Sequence, residues 1–261
     1  MERTAHRSPV VDERDWGETW QRSWDRQQEG YMPDREQRLA ALVDLVEAVA
    51  GPAPRVLDLA CGTGSITRRL LGRLPAARVV ALDVDPALLA IASATLGGDG
   101  RVRIVRADLT DPAWTLGVDG TLFDAVLTAT ALHWLPEPAL ARLYCDLHGL
   151  VRPGGLVANA DDMAPAELPQ LAGALEALGR RRRDEVCEDG RPDWSGWWDI
   201  VATDPVLAPA VAERRRLFGG DHSASFEPPA EWHAGALADA GFAEAGVAWR
   251  SGTGAIVAAV R

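Results

Sequence analysis

The sequence predicts an α/β fold, a doubly wound and mostly parallel sheet that ends in an antiparallel carboxyl-terminal hairpin. Three observations predict it. Five short apolar runs of strand length alternate with amphipathic helical stretches. The first run opens into a glycine-rich turn, and the next two each end in an acid. Near the end of the chain, Ser251-Gly252-Thr253-Gly254 lies between two further apolar runs and reads as a hairpin.

Composition narrows the function classes. At 261 residues the chain can bury a full core, and its length suits one domain with an elaboration or a small cap. It has no run of about 18 apolar residues, so no membrane span is expected. No charged segment followed by an apolar stretch opens the chain, and the cytoplasm is the expected compartment. Cys61, Cys145 and Cys187 are far apart and odd in number, which indicates neither a disulfide framework nor a C-x-x-C metal site. A net charge of −11 argues against a broad phosphate-backbone footprint, and so against nucleic acid. All 27 basic residues are arginine; without lysine there is neither a Schiff base to pyridoxal phosphate nor a P-loop.

Residues 1–52 read as a helical segment ahead of the core, an N-terminal lid. Trp16, Trp20 and Trp24, spaced four apart, form one aromatic stripe on a helix. The stripe either packs on the body of the protein or belongs to a cover over the ligand. Asp34 and Arg35 begin a second amphipathic helix through Leu39, Leu42, Val43, Leu45, Val46 and Val49, which Gly51 and Pro52 end. The core begins near residue 53 with the strand Val56-Leu57-Asp58-Leu59, followed by Gly62, Gly64 and a helix carrying Leu70 and Leu71. Glycines in such a turn let a ligand approach the backbone, while free amides at the start of the helix donate hydrogen bonds. Asp58 then selects among nucleotide-like ligands. Its carboxylate would repel a pyrophosphate lying over the turn and attract an ammonium or sulfonium. Thr67 also breaks the G-x-G-x-x-G/A spacing of a dinucleotide site.

The stretch Asp58-Leu59-Ala60-Cys61-Gly62-Thr63-Gly64 resembles motif I of the class I S-adenosylmethionine-dependent methyltransferases. In that family an acid is followed by three alternating glycines, and Ala60 stands here in place of the first. The resemblance implies a Rossmann-like core and S-adenosyl-L-methionine as cofactor, with S-adenosyl-L-homocysteine as product. Its cofactor contacts would fall on Asp58, Ala60, Gly62, Thr63, Gly64, Asp83, Val84, Asp108, Leu109 and Thr128. Asp58 would serve the methionine ammonium by way of ordered contacts, and Gly62 and Gly64 would allow backbone approach.

The second strand, residues 78–83, ends in Asp83, 19 residues after Gly64. That is close to the distance at which a doubly wound fold sets a carboxylate on ribose hydroxyls, and two carboxylate oxygens can accept both. Asp85-Pro86 reads as an N-cap with proline in the first turn, a structural role, for a helix that runs to Gly97-Gly98. Strand three, residues 102–107, is followed by Asp108. The resemblance implies that its side chain accepts from the adenine amino group while Leu109 donates its amide. Strand four, residues 123–128, leads to His133-Trp134, where the family commonly carries an H-W or H-H pair. His133 is therefore the histidine expected near the transferring methyl, either as a general base or as a packing and cofactor contact. No Asn/Asp-Pro-Pro-aromatic tetrapeptide follows, which disfavours amide and base nitrogens as acceptors.

A helix over residues 137–151 leads through Arg152-Pro153-Gly154-Gly155 into strand five, residues 156–160. A helix over residues 236–240 and strands over 245–250 and 255–260 close the chain. The core thus comprises residues 53–160 and 232–261, and residues 161–231 are an insertion facing the ligand crevice, a helical cap for substrate. It carries arginine runs at 180–183 and 214–216, read as solvated faces because neighbours on a helix cannot all face one ligand. It also carries His222, and Trp194, Trp197 and Trp198, read as apolar walls. Asp161 and Asp162 fall where catechol-type relatives bind magnesium. Those relatives add an acid at the end of strand four, where this chain has Thr128, and no metal is expected.

The reading is methyl transfer to a small-molecule acceptor, apolar or aromatic, in which the protein aligns the nucleophile and excludes water. Natural-product tailoring follows by analogy with family members that carry a variable cap. Oligomeric state stays open. The alternative is a non-methylating protein, a ligand-binding module or cyclase that retains the cofactor pocket; an NAD-dependent reductase is disfavoured by Asp58 and Thr67.

Overall fold

A computed structural model describes residues 12–32, 34–118, 120, 122–188, 192–219 and 226–261. His222 lies outside them. Among the described residues, seven strands form one sheet in the order β3-β2-β1-β4-β5-β7-β6. They are β1 (Arg55–Leu59), β2 (Arg78–Asp83), β3 (Val102–Arg106), β4 (Phe123–Ala129), β5 (Val151–Asp162), β6 (Glu244–Ser251) and β7 (Gly254–Val260). The first five run parallel, and β7 lies antiparallel between β5 and β6. The doubly wound sheet with its terminal hairpin is as the sequence predicts.

Successive side chains of a strand point to opposite faces, so each strand feeds two cores. Leu57, Leu59, Val80, Leu82, Val126 and Val157 pack on one face under α5 (Glu137–Leu150) and α9 (Ala230–Asp239). Val56, Val79, Ala81, Ala125, Leu127 and Ala158 pack on the other under α2 (Arg35–Ala50) and α3 (Ser65–Arg73). Within the amino-terminal segment, α2 therefore belongs to the cover of the sheet. α1 (Glu13–Tyr31) lies instead against α4 (Pro86–Leu96).

A third cluster holds the insertion to this body. Helices α6 (Pro169–Glu188), α7 (Trp194–Val201) and α8 (Ala208–Phe218) follow β5 in sequence. Trp197 and Trp198 of α7 are buried together with Trp24, Leu88, Ile91, Val201 and Val211. The rings of Trp24 and Trp197 meet edge-on with centroids 5.1 Å apart, and those of Trp197 and Trp198 at 4.9 Å. The indole N–H groups of Trp16 and Trp20 both donate to Asp204, at 2.9 and 3.0 Å. Trp197 and Trp198, expected as walls for a substrate, are thus consumed by packing against the amino-terminal stripe. An indole is large enough to make such a satellite core by itself.

The arginine runs divide. Arg180, Arg181, Arg182, Arg215 and Arg216 are exposed, as a solvated face requires. Arg214 is not: it is buried, its Nε donates to Asp85 at 2.6 Å, and its guanidinium lies 3.8 Å over the Trp198 ring. Asp85 is also the N-cap of α4, accepting from the amides of Ala87 and Leu88. Two boundaries differ from expectation. β5 begins at Val151, which pairs with Phe123 of β4, and runs to Asp162, where it still pairs with Gly254 of β7. α9 begins at Ala230, where Pro229 fixes the φ of the cap position.

Removing one partner of a buried ion pair leaves a desolvated charge, which costs about 3–5 kcal/mol. Arg214→Ala should accordingly lower unfolding free energy by several kcal/mol in urea denaturation. Arg215→Ala, one residue along and exposed, should stay within about 0.5 kcal/mol of the parent.

Candidate functional site

The strand order reverses between β1 and β4, so the turns that follow these strands open a crevice at the carboxyl edge of the sheet. Both turns begin in left-handed backbone at a residue that is not glycine, Ala60 at φ 54° and Thr130 at φ 51°. Such a conformation costs an L-residue about 1–2 kcal/mol and concentrates at functional positions. Gly62 and Gly64 follow at φ 55° and 82°. A Cβ on Gly62 would touch only Leu88 at 3.7 Å, so its outer side is open; one on Gly64 would come within 2.4 Å of Leu96 Cδ1.

Carboxylates hold this turn from behind. Asp83 Oδ2 accepts the Gly62 amide at 2.7 Å and Oδ1 the Asp85 amide at 2.8 Å, joining the turn after β1 to the turn after β2. Asp58 is fully buried, and its Oδ2 accepts both the amide and the hydroxyl of Thr67, at 3.0 and 2.6 Å. Its Oδ1 is buried without a partner among the described residues. Burial raises Asp58 to about 7 against the pull of the Thr67 donors, with the Asp83 charge adding to the rise. Burial likewise raises Asp83 to about 6 against the Asp85 and Gly62 amides. An ammonium close by would relieve both. The orphaned Oδ1 and the open side of Gly62 are what a sulfonium-bearing amino-acid ligand requires, so the residues present fit S-adenosylmethionine.

The other residues named from the sequence sit in or just after strands β1 to β4. Thr63 is buried with its Oγ1 3.4 Å from Ser65 Oγ, and Val84 is half-buried between the two aspartates. Asp108 is exposed after β3, where its Oδ1 accepts the Thr110 amide and hydroxyl; Leu109 beside it is buried. Thr128 is buried in β4, its Oγ1 without a partner among the described residues. α1 adds a polar face unforeseen from the tryptophan stripe. Gln21 and Gln28 are buried there, Gln21 Nε2 reaches Ser65 Oγ at 3.3 Å, and Asp25 pairs at 2.8 Å with buried Arg35, which donates to Ser65 at 2.8 Å. The signal was present in the sequence as Gln21, Asp25 and Gln28, which recur at helical spacing.

His133 stands one strand further along, in a short 3₁₀ turn after β4. Its Nδ1 lies 3.0 and 2.9 Å from the two oxygens of Asp161, which is buried near the end of β5. Burial works to lower the imidazole's pKa, but the hydrogen bond and charge of Asp161, with Glu227 and Asp162 behind them, raise it above the usual value. Asp161 was weighed in the sequence only as a metal ligand; here it holds an imidazole. Beneath it, Asn159 Nδ2 donates to the Tyr144 hydroxyl at 3.4 Å, and that hydroxyl lies 2.6 Å from His233 Nδ1. Burial pushes His233 down to about 4, so it is neutral, and pushes the Tyr144 hydroxyl well up. An open cleft lined by Glu18, Arg68, Gly97 and Arg101 lies instead at the amino-terminal edge of the sheet. Of the arginines that line it, Arg68 pairs with Glu18 and Arg101 with Asp99, and it has no buried carboxylate or imidazole like those of the crevice.

Comparison with known proteins adds the following. A family model described as a methyltransferase domain matches residues 56–155. A trans-aconitate 2-methyltransferase of Methylobacterium radiotolerans is 34% identical over 191 residues, covering 70% of this chain and 67% of that protein. One of Streptomyces avermitilis is 35% identical over 201 residues, covering 72% and 65%, and one of Acidovorax ebreus 36% over 129 residues, covering 49% and 46%. The chain thus spans from under half to about two thirds of the length of these relatives. Among solved structures, an O-methyltransferase family protein of Burkholderia thailandensis superposes with a TM-score of 0.53 at 20% identity, over 99% of this chain and 74% of that one. Human N-acetylserotonin methyltransferase in complex with SAM does so at 0.54 and 13%, over 95% and 55%. At these identities the structures bear on the fold alone.

The raised carboxylates carry a sign. The folded state holds protons on Asp58 and Asp83 that the unfolded chain releases near pH 4. Their contribution to stability is therefore full below about pH 4 and lost as pH rises through the folded values. Urea midpoints of the ligand-free protein should fall from pH 5 to pH 8, and fall less in Asp58→Asn. An unchanged slope in that variant would contradict the burial account.

Proposed function

The chain belongs to the class I S-adenosylmethionine-dependent methyltransferases, and from that premise we propose that it transfers the methyl group of S-adenosylmethionine to a small-molecule acceptor. The observation that carries the reading is the buried, half-unpartnered Asp58 under an open glycine turn. When bound, the cofactor supplies an electrophilic methyl on a sulfonium. Asp58 Oδ1 faces the ammonium end by way of ordered contacts, and the Asp25–Arg35 pair lies near the amino-acid end. Asp83 keeps a second lone pair on each oxygen for ribose hydroxyls, and Asp108 keeps Oδ2 for the adenine amino group. α1, held down by Asp204 and the tryptophan cluster, covers the turn and excludes water.

The acceptor would enter on the His133 side of the crevice. Trp134, 38% exposed, with Phe226 and Trp232 near His133, supports an apolar or aromatic acceptor, now that the insertion's buried tryptophans do not. The relatives' name points to a different acceptor, trans-aconitate, a hydrophilic tricarboxylate, and its methylation in place of an aromatic compound would overturn the apolar reading of this side. Natural-product tailoring rests on the insertion by itself. A protein that retained the cofactor without methylating would keep the same contacts, so recovery of labelled methyl in a product separates the two readings.

Calorimetric titration should show micromolar binding of S-adenosylmethionine and S-adenosylhomocysteine, weakened at least about tenfold in Asp83→Ala, and no binding of NAD. Binding of NAD in preference to the other two would overturn the reading.

A further inference from the structure

The loop after β3 is thinly packed. Asp108, Thr110, Asp111, Pro112 and Ala113 are all exposed, and of residues 108–114 only Leu109 and Trp114 are buried. Hydrogen bonds must therefore fix where Asp108 points. Asp108 closes a local turn: its Oδ1 accepts the Thr110 amide at 2.8 Å and hydroxyl at 2.7 Å, and its carbonyl accepts the Asp111 amide at 3.0 Å. Such a turn sets the side chain against its own backbone and ties neither to the body of the protein. α5 supplies that tie. Arg142 Nη2 donates to the carbonyls of Thr110, at 3.0 Å, and Leu109, at 3.4 Å; one helical turn on, Asp146 Oδ2 accepts the Trp114 indole N–H at 3.0 Å. We propose that Arg142 is a positioning residue for cofactor recognition: by clamping the Thr110 peptide it aims Asp108 Oδ2 at the adenine amino group, and so sets the selectivity for adenine.

The inference rests on the methyl-transfer reading and deepens it at the base of the cofactor. Arg142 is half-buried, its Nε is enclosed without a partner, and it pairs with no carboxylate among the described residues. Its guanidinium is spent on two carbonyls of one loop, so its loss is felt there first. Thr110 is thereby held at three atoms, its carbonyl by Arg142 and its amide and hydroxyl by Asp108. With Oδ1 committed to Thr110, Oδ2 is the oxygen left for a ligand, and a carboxylate accepts without donating. It attracts the exocyclic N–H of adenine and repels the carbonyl that a deaminated base presents at the same place. A hydrogen bond to a charged group is worth roughly ten- to a hundredfold in affinity when its geometry is held, and that holding is the part Arg142 plays.

Calorimetric titration of the full chain with S-adenosylhomocysteine and with S-inosylhomocysteine, its deaminated analogue, reads that selectivity. The parent should prefer the adenine compound by about tenfold or more, and Asp108→Ala should abolish the preference. Arg142→Met keeps the packing of the stem and loses every donor. It should cut the preference to about threefold or less by weakening the adenine compound, while affinity for the inosine compound changes by less than about twofold. Arg142→Lys, which keeps a donor at the end of the stem, should retain most of the preference. Equal weakening of both compounds in Arg142→Met would mark a merely structural role and overturn the proposal. So would a parent without preference, or a preference unchanged in Arg142→Met or in Asp108→Ala. Binding of neither compound to the parent would sink the methyl-transfer reading itself.

Discussion

The carboxylate of Asp83 is the contact on which the rest of the site depends. One oxygen takes the Gly62 amide and the other the Asp85 amide, so the turn after β1 cannot move without the turn after β2. Asp85 carries the constraint onward, capping α4 with one oxygen and taking Arg214 with the other. Arg214 lies on Trp198, and Trp198 lies in the cluster that also anchors α1. A ligand that touches the glycine turn is therefore two residues of sequence, Asp83 and Asp85, away from the insertion and the cover.

The crevice has two unlike sides. Around β1 and β2 it is built of buried carboxylates, glycine backbone and the glutamine face of α1, a setting for a polar zwitterion with a positive centre. Around β4 and β5 it is built of an imidazole, its carboxylate and indole rings. Left-handed backbone at Ala60 and Thr130 marks the start of each side. Such strain persists only where the surroundings over-determine it, and here the Cys61 and Thr130 amides are both tied to neighbouring strand ends, at Leu82 and Ala160. Two fixed sides across one reversal of strand order suit a reaction in which alignment does most of the work.

The sheet was legible because its signals are local: apolar runs of strand length, glycines at Gly62 and Gly64, and the turn residues at Ser251–Gly254. Asp85 was legible as a cap for the same reason. What was not legible depends on partners far away in sequence. Arg214 looked like its exposed neighbours because the carboxylate that buries it is 129 residues away. Trp194, Trp197 and Trp198 looked like pocket walls because nothing local shows that Trp24 meets them. Asp161 looked like a metal ligand or nothing, since its partner His133 lies on another strand end, and the inward glutamines of α1 were hidden beside a louder aromatic stripe on the adjoining face.

A crystal structure of the complex with S-adenosylhomocysteine tests the central claim most directly. The account predicts the ligand across the β1–β4 reversal, its ribose on Asp83, its amino-acid end over Asp58 and Arg35, and its sulfur on the side towards His133. A ligand seated elsewhere, in the cleft beside Gly97 and Arg101 for example, or one at the reversal whose ribose leaves Asp83 untouched, would contradict it.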